Sequence, residues 1–286
     1  MAEKIKFGVS TWLWTSPFTT ATTSLFPKIK SLGYDAVEIP VEYPERIDGK
    51  AVMKALDEHG LEAIVCGAFG PTRDLTHTDP AVHKNCFKYV DQCFELCNAW
   101  NAKFLAGPMY SAVGKTRMLT LEQRKVEWDR AVTNLRKVCT AARQQGQMIA
   151  LEPLNRFESD LINTAEDVVR LIKDINDPAA KIMLDGFHMA IEEHDLSQAI
   201  FSAGSDLIHV QVSENHRGTP GTGQTQWLSL KHGLQRINYR GVVSIESFTP
   251  DVKELAGAVC IWRNFAIDQD SFAKNGLSFL QELLNN

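Results

Sequence analysis

The sequence predicts a single-domain (β/α)8 barrel, the TIM-barrel class of α/β protein, and three observations carry that expectation. Eight short apolar runs alternate with longer segments of helical period along the chain. No Pro/Gly/Ser-rich linker or low-complexity tract separates them, so one domain over residues 1–286 is expected, although the length alone would also suit two smaller domains. The first run leads into Val9-Ser10-Thr11-Trp12-Leu13-Trp14. An open doubly wound sheet, the structural alternative, normally places a glycine-rich phosphate turn there. Neither the dinucleotide GxGxxG nor a P-loop occurs anywhere in the chain.

The strand-like runs are residues 5–10, 36–41, 62–68, 103–107, 148–154, 181–185, 207–213 and 241–248. Helical periodicity marks residues 22–32, 49–59, 81–100, 121–145, 164–175, 196–203, 227–237 and a final stretch from 251 to 284. Gly33, Gly60 and Gly146 stand where a glycine ends a helix just before a strand. Thr164-Ala165-Glu166-Asp167 and Asp195-Leu196-Ser197-Gln198 read as capped helix starts.

A hydrophobic content of 44% with 23% charged residues is that of a water-soluble globular protein with a sizeable core. The net charge of -5 argues against nucleic acid or an acidic membrane as partner. The first residues hold no long apolar leader and no later run reaches transmembrane length, so a cytoplasmic protein is expected. The six cysteines contain no CxxC pair and read as buried free thiols.

In such a barrel the chemistry sits at the C-terminal ends of the strands. There the fifth run offers Leu151-Glu152-Pro153, the sixth Leu184-Asp185, the seventh His209-Val210-Gln211 and the eighth Ile245-Glu246. A salt bridge would explain one such carboxylate. Three of them converging, with an amide on the strand between, need a shared cation. Glu152, Asp185, Gln211 and Glu246 form an all-oxygen set, which favours Mn²⁺ or Mg²⁺ over Zn²⁺. His209 is the alternative fourth ligand. It points the same way as Gln211 but two residues deeper, so Gln211 is preferred.

The segments Leu151-Glu152-Pro153-Leu154-Asn155-Arg156-Phe157-Glu158, Leu184-Asp185-Gly186-Phe187-His188-Met189 and Ser213-Glu214-Asn215-His216-Arg217-Gly218 resemble the D-tagatose/D-psicose 3-epimerase (ketose 3-epimerase) family of xylose-isomerase-like sugar isomerases and epimerases. Gly107-Pro108-Met109-Tyr110-Ser111 is also similar, and the likeness runs over most of the chain. The resemblance implies one divalent metal, Mn²⁺ with Mg²⁺ or Co²⁺ as alternatives, held by Glu152, Asp185 and Glu246. It implies that Glu152 and Glu246 are the acid/base pair and that Glu158, His188 and Arg217 hold the substrate. Gln211 stands where the family has a ligand histidine. That departure is similar to the related hydroxypyruvate isomerases.

The expected reaction is epimerisation of an unphosphorylated ketose at C3 through a cis-enediolate, with one carboxylate on each face of the sugar. A hydroxypyruvate-type or keto-inositol isomerase on the same site is the alternative. Trp14, Phe69 and Phe248 follow strand ends and are candidates for pocket lining. Asn155 and Arg156 read as supporting or surface residues, and Glu192–Glu193 as a solvated turn. A metal-dependent endonuclease of the same barrel class is disfavoured, because the third and fourth strand ends carry no metal ligand. A barrel that only binds sugar would not need both glutamates. The resemblance also implies a homodimer or homotetramer, with Trp262 and Phe265 of the final stretch as candidate contacts.

Overall fold

A computed structural model describes residues 4–285. Met1–Glu3 and Asn286, including the start of the segment read for a leader, lie outside the described residues. Eight parallel strands close into a barrel in chain order. They are β1 (Lys6–Ser10), β2 (Ala36–Val41), β3 (Glu62–Gly67), β4 (Phe104–Gly107), β5 (Met148–Leu151), β6 (Ala180–Asp185), β7 (Leu207–Val212) and β8 (Val242–Ile245), and β8 pairs with β1 to complete the circle. Among the described residues ten α-helices accompany them: α1 (Phe26–Leu32), α2 (Gly49–His59), α3 (Pro80–Ala99), α4 (Leu121–Gln144), α5 (Ala165–Ile175), α6 (Gly186–Glu192), α7 (Leu196–Ala203), α8 (Trp227–Arg236), α9 (Lys253–Ala258) and α10 (Gln269–Asn285).

Strands covered on both faces read as near-continuous apolar runs, yet strand alternation still divides their side chains. One set, including Val37, Ile39, Val65, Leu105, Ile182, Val210 and Val243, packs into the large core under the helices. The other set forms a smaller cluster of Ala36, Ile64, Cys66, Phe104, Ala106, Ala150, Met183 and Val242 inside the barrel. Following that second set by steps of two toward the strand ends reaches Glu38 on β2, Glu152 past β5, Asp185 on β6 and Glu246 past β8, and the β6–β7 register sets His209 and Gln211 beside Met183 and Asp185. Pleat geometry alone therefore gathers the polar groups above an apolar floor.

Helix ends follow their sequence signals. Asp48 accepts from the Lys50 and Ala51 amides at the start of α2, and Thr120/Gln123 and Thr164/Asp167 form capping boxes on α4 and α5. Gly33 and Gly60 close α1 and α2 with φ of 103° and 56°.

Five expectations are corrected. The segment 22–32 begins as a 3-10 turn over Thr20–Leu25 before α1. The final stretch is two helices, with irregular chain between them, and α10 restarts where Asp268 accepts the Ser271 amide. The short α6 directly after β6 was not expected. Glu192 and Glu193 are not a solvated turn: Glu192 pairs with Arg156, and Glu193 accepts the Ala165 amide at the start of α5. Five of the cysteines are buried free thiols as expected, but Cys260 is exposed. Among the described residues no helix is long and apolar enough to cross a membrane.

Candidate active site

A cavity of about 200 Å³ lies at the C-terminal mouth of the barrel. Its polar lining is Glu152, Glu158, His188, Gln211, Arg217 and Glu246, and its apolar lining includes Trp12, Phe69, Leu154, Phe248, Leu255 and Val259. Phe69 and Phe248 thus stand where sequence reasoning put them. Trp14 does not. The 3-10 turn over Thr11–Leu13 brings Trp12 to the cavity instead, and the Trp14 indole donates to Asp270 Oδ1 at 2.7 Å. The Trp12 indole N–H is likewise engaged, donating to Glu42 Oε1 at 2.7 Å, so this wall is apolar to the cavity.

Arg217 sits among the carboxylates. Its Nη1 donates to Asp185 Oδ2 at 2.7 Å and to Glu246 Oε2 at 2.9 Å, while its guanidinium lies 3.9 Å from the Phe187 ring centre and 5.1 Å from that of Phe248. Asp185 Oδ1 also caps α6 by accepting the Phe187 amide. Arg217 holds φ at 62°, and Ser247 Oγ donates to its carbonyl at 2.7 Å. The loop that carries it is tied down by fully buried Glu214, which accepts from the amides of Gly221 and Thr225 and from the Trp227 indole.

Burial raises the proton affinity of Glu152 well above the ordinary carboxylate value, and the charges of Glu246 and Asp185 raise it further. Glu246 is pushed up to about 8, chiefly by burial, with Arg217 pulling it partly back. Burial lowers the His188 value. His188 Nδ1 accepts the Asn155 amide at 3.0 Å, and its Nε2 lies 3.4 Å from Arg217 Nη2. The same Nε2 is 3.6 Å from Glu152 Oε1 and 3.7 Å from Asp185 Oδ2. Asn155 Nδ2 also donates to Glu158 Oε1 at 2.8 Å, so Glu158 reaches His188 through Asn155, a residue first read only as supporting.

Sequence reasoning missed Glu38. This fully buried carboxylate on β2 lies 2.8 Å from His209 Nε2 and accepts from Gln211 Nε2 at 2.6 Å. Its signal was a lone charge in Ala36-Val37-Glu38-Ile39-Pro40-Val41, on the inward side. His209 is thus engaged below the cavity, whereas Gln211 lines it.

These residues fit a divalent cation. Ligand atoms of Glu152, Asp185 and His188 lie within 4.8 Å of one another, and Glu246 shares the Arg217 nitrogen with Asp185. One guanidinium does not neutralise three buried carboxylates. Gln211 Oε1 is buried with no hydrogen-bond donor. Carboxylate and amide oxygens suit a hard ion such as Mn²⁺ or Mg²⁺.

Residues 26–282 match the family model described as a xylose isomerase-like TIM barrel. A probable ketose 3-epimerase of Synechocystis sp. is 31% identical over 281 residues, covering 98% of this chain and 97% of that one. An L-ribulose 3-epimerase of Methylomonas sp. is 28% identical over 98% of both chains. The crystal structure of D-allulose 3-epimerase from Methylomonas sp. in complex with D-allulose superposes with a TM-score of 0.91 at 28% identity, covering 98% of this chain and 97% of that chain.

Proposed function

The chain belongs to the ketose 3-epimerases, isomerase-class enzymes of the xylose isomerase-like TIM barrels, and from that premise we propose that it epimerises an unphosphorylated ketose of the D-tagatose, D-psicose (D-allulose) or L-ribulose type at C3. The observation that carries this reading is the pair Glu152 and Glu246, which line one small cavity from β5 and β8 with the intervening strands between them.

Epimerisation removes the proton from C3 and returns one to the opposite face. Two carboxylates facing one sugar from different sides meet that requirement. The ionised member takes the C3 proton and the protonated member delivers its own, and the roles exchange for the reverse reaction. Glu152, Asp185, Gln211 and Glu246 would hold a divalent ion, Mn²⁺ in the first instance. Bound there, such an ion supplies positive charge to the carbonyl and its neighbouring oxygen, making the adjacent C–H more acidic.

Arg217 donates to sugar oxygens beside the reacting carbons, and His188 binds the sugar beside it. Glu158 keeps His188 oriented through Asn155. Trp12, Phe69 and Phe248 exclude water from the exchanging proton. The buried free thiols fit a reducing cytoplasm. A homodimer or homotetramer would bury exposed Trp262, which lies between α9 and α10, whereas Phe265, the other candidate contact, packs against the core.

Metal-stripped protein supplied with Mn²⁺ in D₂O, with D-fructose, D-tagatose, L-ribulose and hydroxypyruvate as trial substrates, tests the reading. Deuterium at C3 of a ketose is the expected result. Label confined to C1 or C2 would replace epimerisation by aldose–ketose isomerisation. No exchange with any of them would overturn the proposal.

A further inference from the structure

Below the cavity lies a buried polar group that the reaction as drawn does not use. Glu38 is fully buried, and each of its oxygens is engaged: Oε2 lies 2.8 Å from His209 Nε2, and Oε1 accepts from Gln211 Nε2 at 2.6 Å. Gln211 Nε2 also donates to Glu246 Oε1 at 3.2 Å. The far side of that amide, Oε1, is buried and accepts from no donor.

A glutamine amide can be turned end for end with almost no change in shape, so its direction is set by its neighbours. Here two carboxylate oxygens face the same end of it. With Nε2 toward them the amide hydrogens are accepted; reversed, a carbonyl oxygen would stand against two acceptors at hydrogen-bond distance. Glu246 faces the cavity, whereas Glu38 sits beneath it with its other oxygen against His209. Glu38 is therefore the member of the pair whose position does not depend on what occupies the cavity.

We propose that Glu38 is a positioning residue, which fixes the Gln211 amide so that its carbonyl oxygen is the end presented to the divalent ion. The proposal rests on the metal site inferred above. It assigns to this chain an oxygen ligand on β7, held by a carboxylate one layer deeper in the barrel. Withdrawal of amide hydrogen density by Glu38 also makes the carbonyl oxygen a better donor to a cation, as supporting carboxylates do for metal-binding histidines.

Mn²⁺ binding to the metal-stripped full chain, followed by loss of the free-ion electron paramagnetic resonance signal, tests this without recourse to turnover. E38Q is expected to weaken Mn²⁺ about 10- to 100-fold, the usual effect of losing a supporting partner. E38D keeps the charge but shortens the reach, and is expected to weaken Mn²⁺ as well. It also serves as the second variant should E38Q not fold. In a Q211L background nothing remains to be oriented, so E38Q added to Q211L should change the affinity less than twofold.

Unchanged affinity in E38Q or E38D would overturn the proposal, as would an equal loss from E38Q with and without Gln211. Wild-type protein that binds no Mn²⁺ would instead remove the metal site itself, and the proposal with it. Failure of the two readings is thereby told apart.

Discussion

Glu214 offers a direct test of how the Arg217 loop is held. Its carboxylate is fully buried and accepts four donors: the Gly221 amide at 2.7 Å, the Trp227 indole at 2.7 Å, the Thr225 amide at 3.1 Å and, more weakly, the Asn215 amide at 3.3 Å. Burial alone would raise its pKa, but the bonds from Trp227 and Thr225 outweigh burial and hold it below the ordinary value. A hydrogen bond to a charged acceptor contributes about 1.5–3 kcal/mol. The contributions are not additive, and water reaches the exposed part of the loop, so Glu214→Ala should destabilise by about 3–5 kcal/mol. At about 2–4 °C per kcal/mol that lowers the Tm by roughly 10 °C, measured by circular dichroism.

The acid dependence has a definite sign. A depressed carboxyl contributes its full stability above the unfolded value near about pH 4.3 and loses it as pH falls through the folded value. The Tm gap between wild type and Glu214→Ala should therefore narrow as pH falls below about 4. Because Arg217 donates its amide to the Glu214 carbonyl, kcat/KM should also fall at least about tenfold. A Tm within about 2 °C of wild type at pH 7, or a gap that widens in acid, would refute the account of the loop.

Arg217→Met leaves Asp185 and Glu246 buried without the nitrogen 2.7 and 2.9 Å away; metal-free protein should lose about 3–5 kcal/mol in urea unfolding, and a loss under about 1 kcal/mol would contradict the bridging role. Gln211→His puts an imidazole where an amide lies, so competition binding should show preference moving from Mn²⁺ and Mg²⁺ toward Co²⁺, Ni²⁺ and Zn²⁺. Glu246→Gln removes one of the two proposed proton-transfer groups, and C3 exchange should fall by about 10² or more; full exchange would eliminate the two-carboxylate scheme. Gly107→Ala forces a side chain onto φ of +128° with its Cβ 3.1 Å from the Gly67 carbonyl oxygen, and should lower stability by about 1–3 kcal/mol in thermal melts.

The barrel was legible because a closed parallel sheet demands the same unit eight times over, and each unit carries its own punctuation. Gly60 after α2 and Thr164 before α5 are local signals that tertiary packing had no reason to override. The site was partly legible for a related reason: Glu152, Asp185, Gln211 and Glu246 continue the inward alternation of their strands, so their convergence follows from the pleat. What escaped depended on partners distant in sequence. Glu38 meets Gln211 across the barrel interior, a separation of 173 residues, and no local pattern announces that pairing. Trp12 rather than Trp14 reached the cavity because a single 3-10 turn rotates the chain after β1. The final stretch keeps apolar residues at helical spacing through residues 259–268, yet those residues include the wall of the cavity, and the chain leaves the helix there.

That break has a practical side. The irregular chain between α9 and α10 exposes Cys260, next to Val259 of the cavity wall, whereas Cys66, Cys86, Cys93, Cys97 and Cys139 are buried. Burial pushes all five of those thiols up, Cys86, Cys93 and Cys139 to about 12, so none offers a thiolate near neutral pH. A maleimide dye would therefore attach to the native sequence at one position among the described residues. There it would sit beside the cavity proposed to take the sugar, and its emission could report sugar entry and departure in real time, with no engineered cysteine and no coupled enzyme.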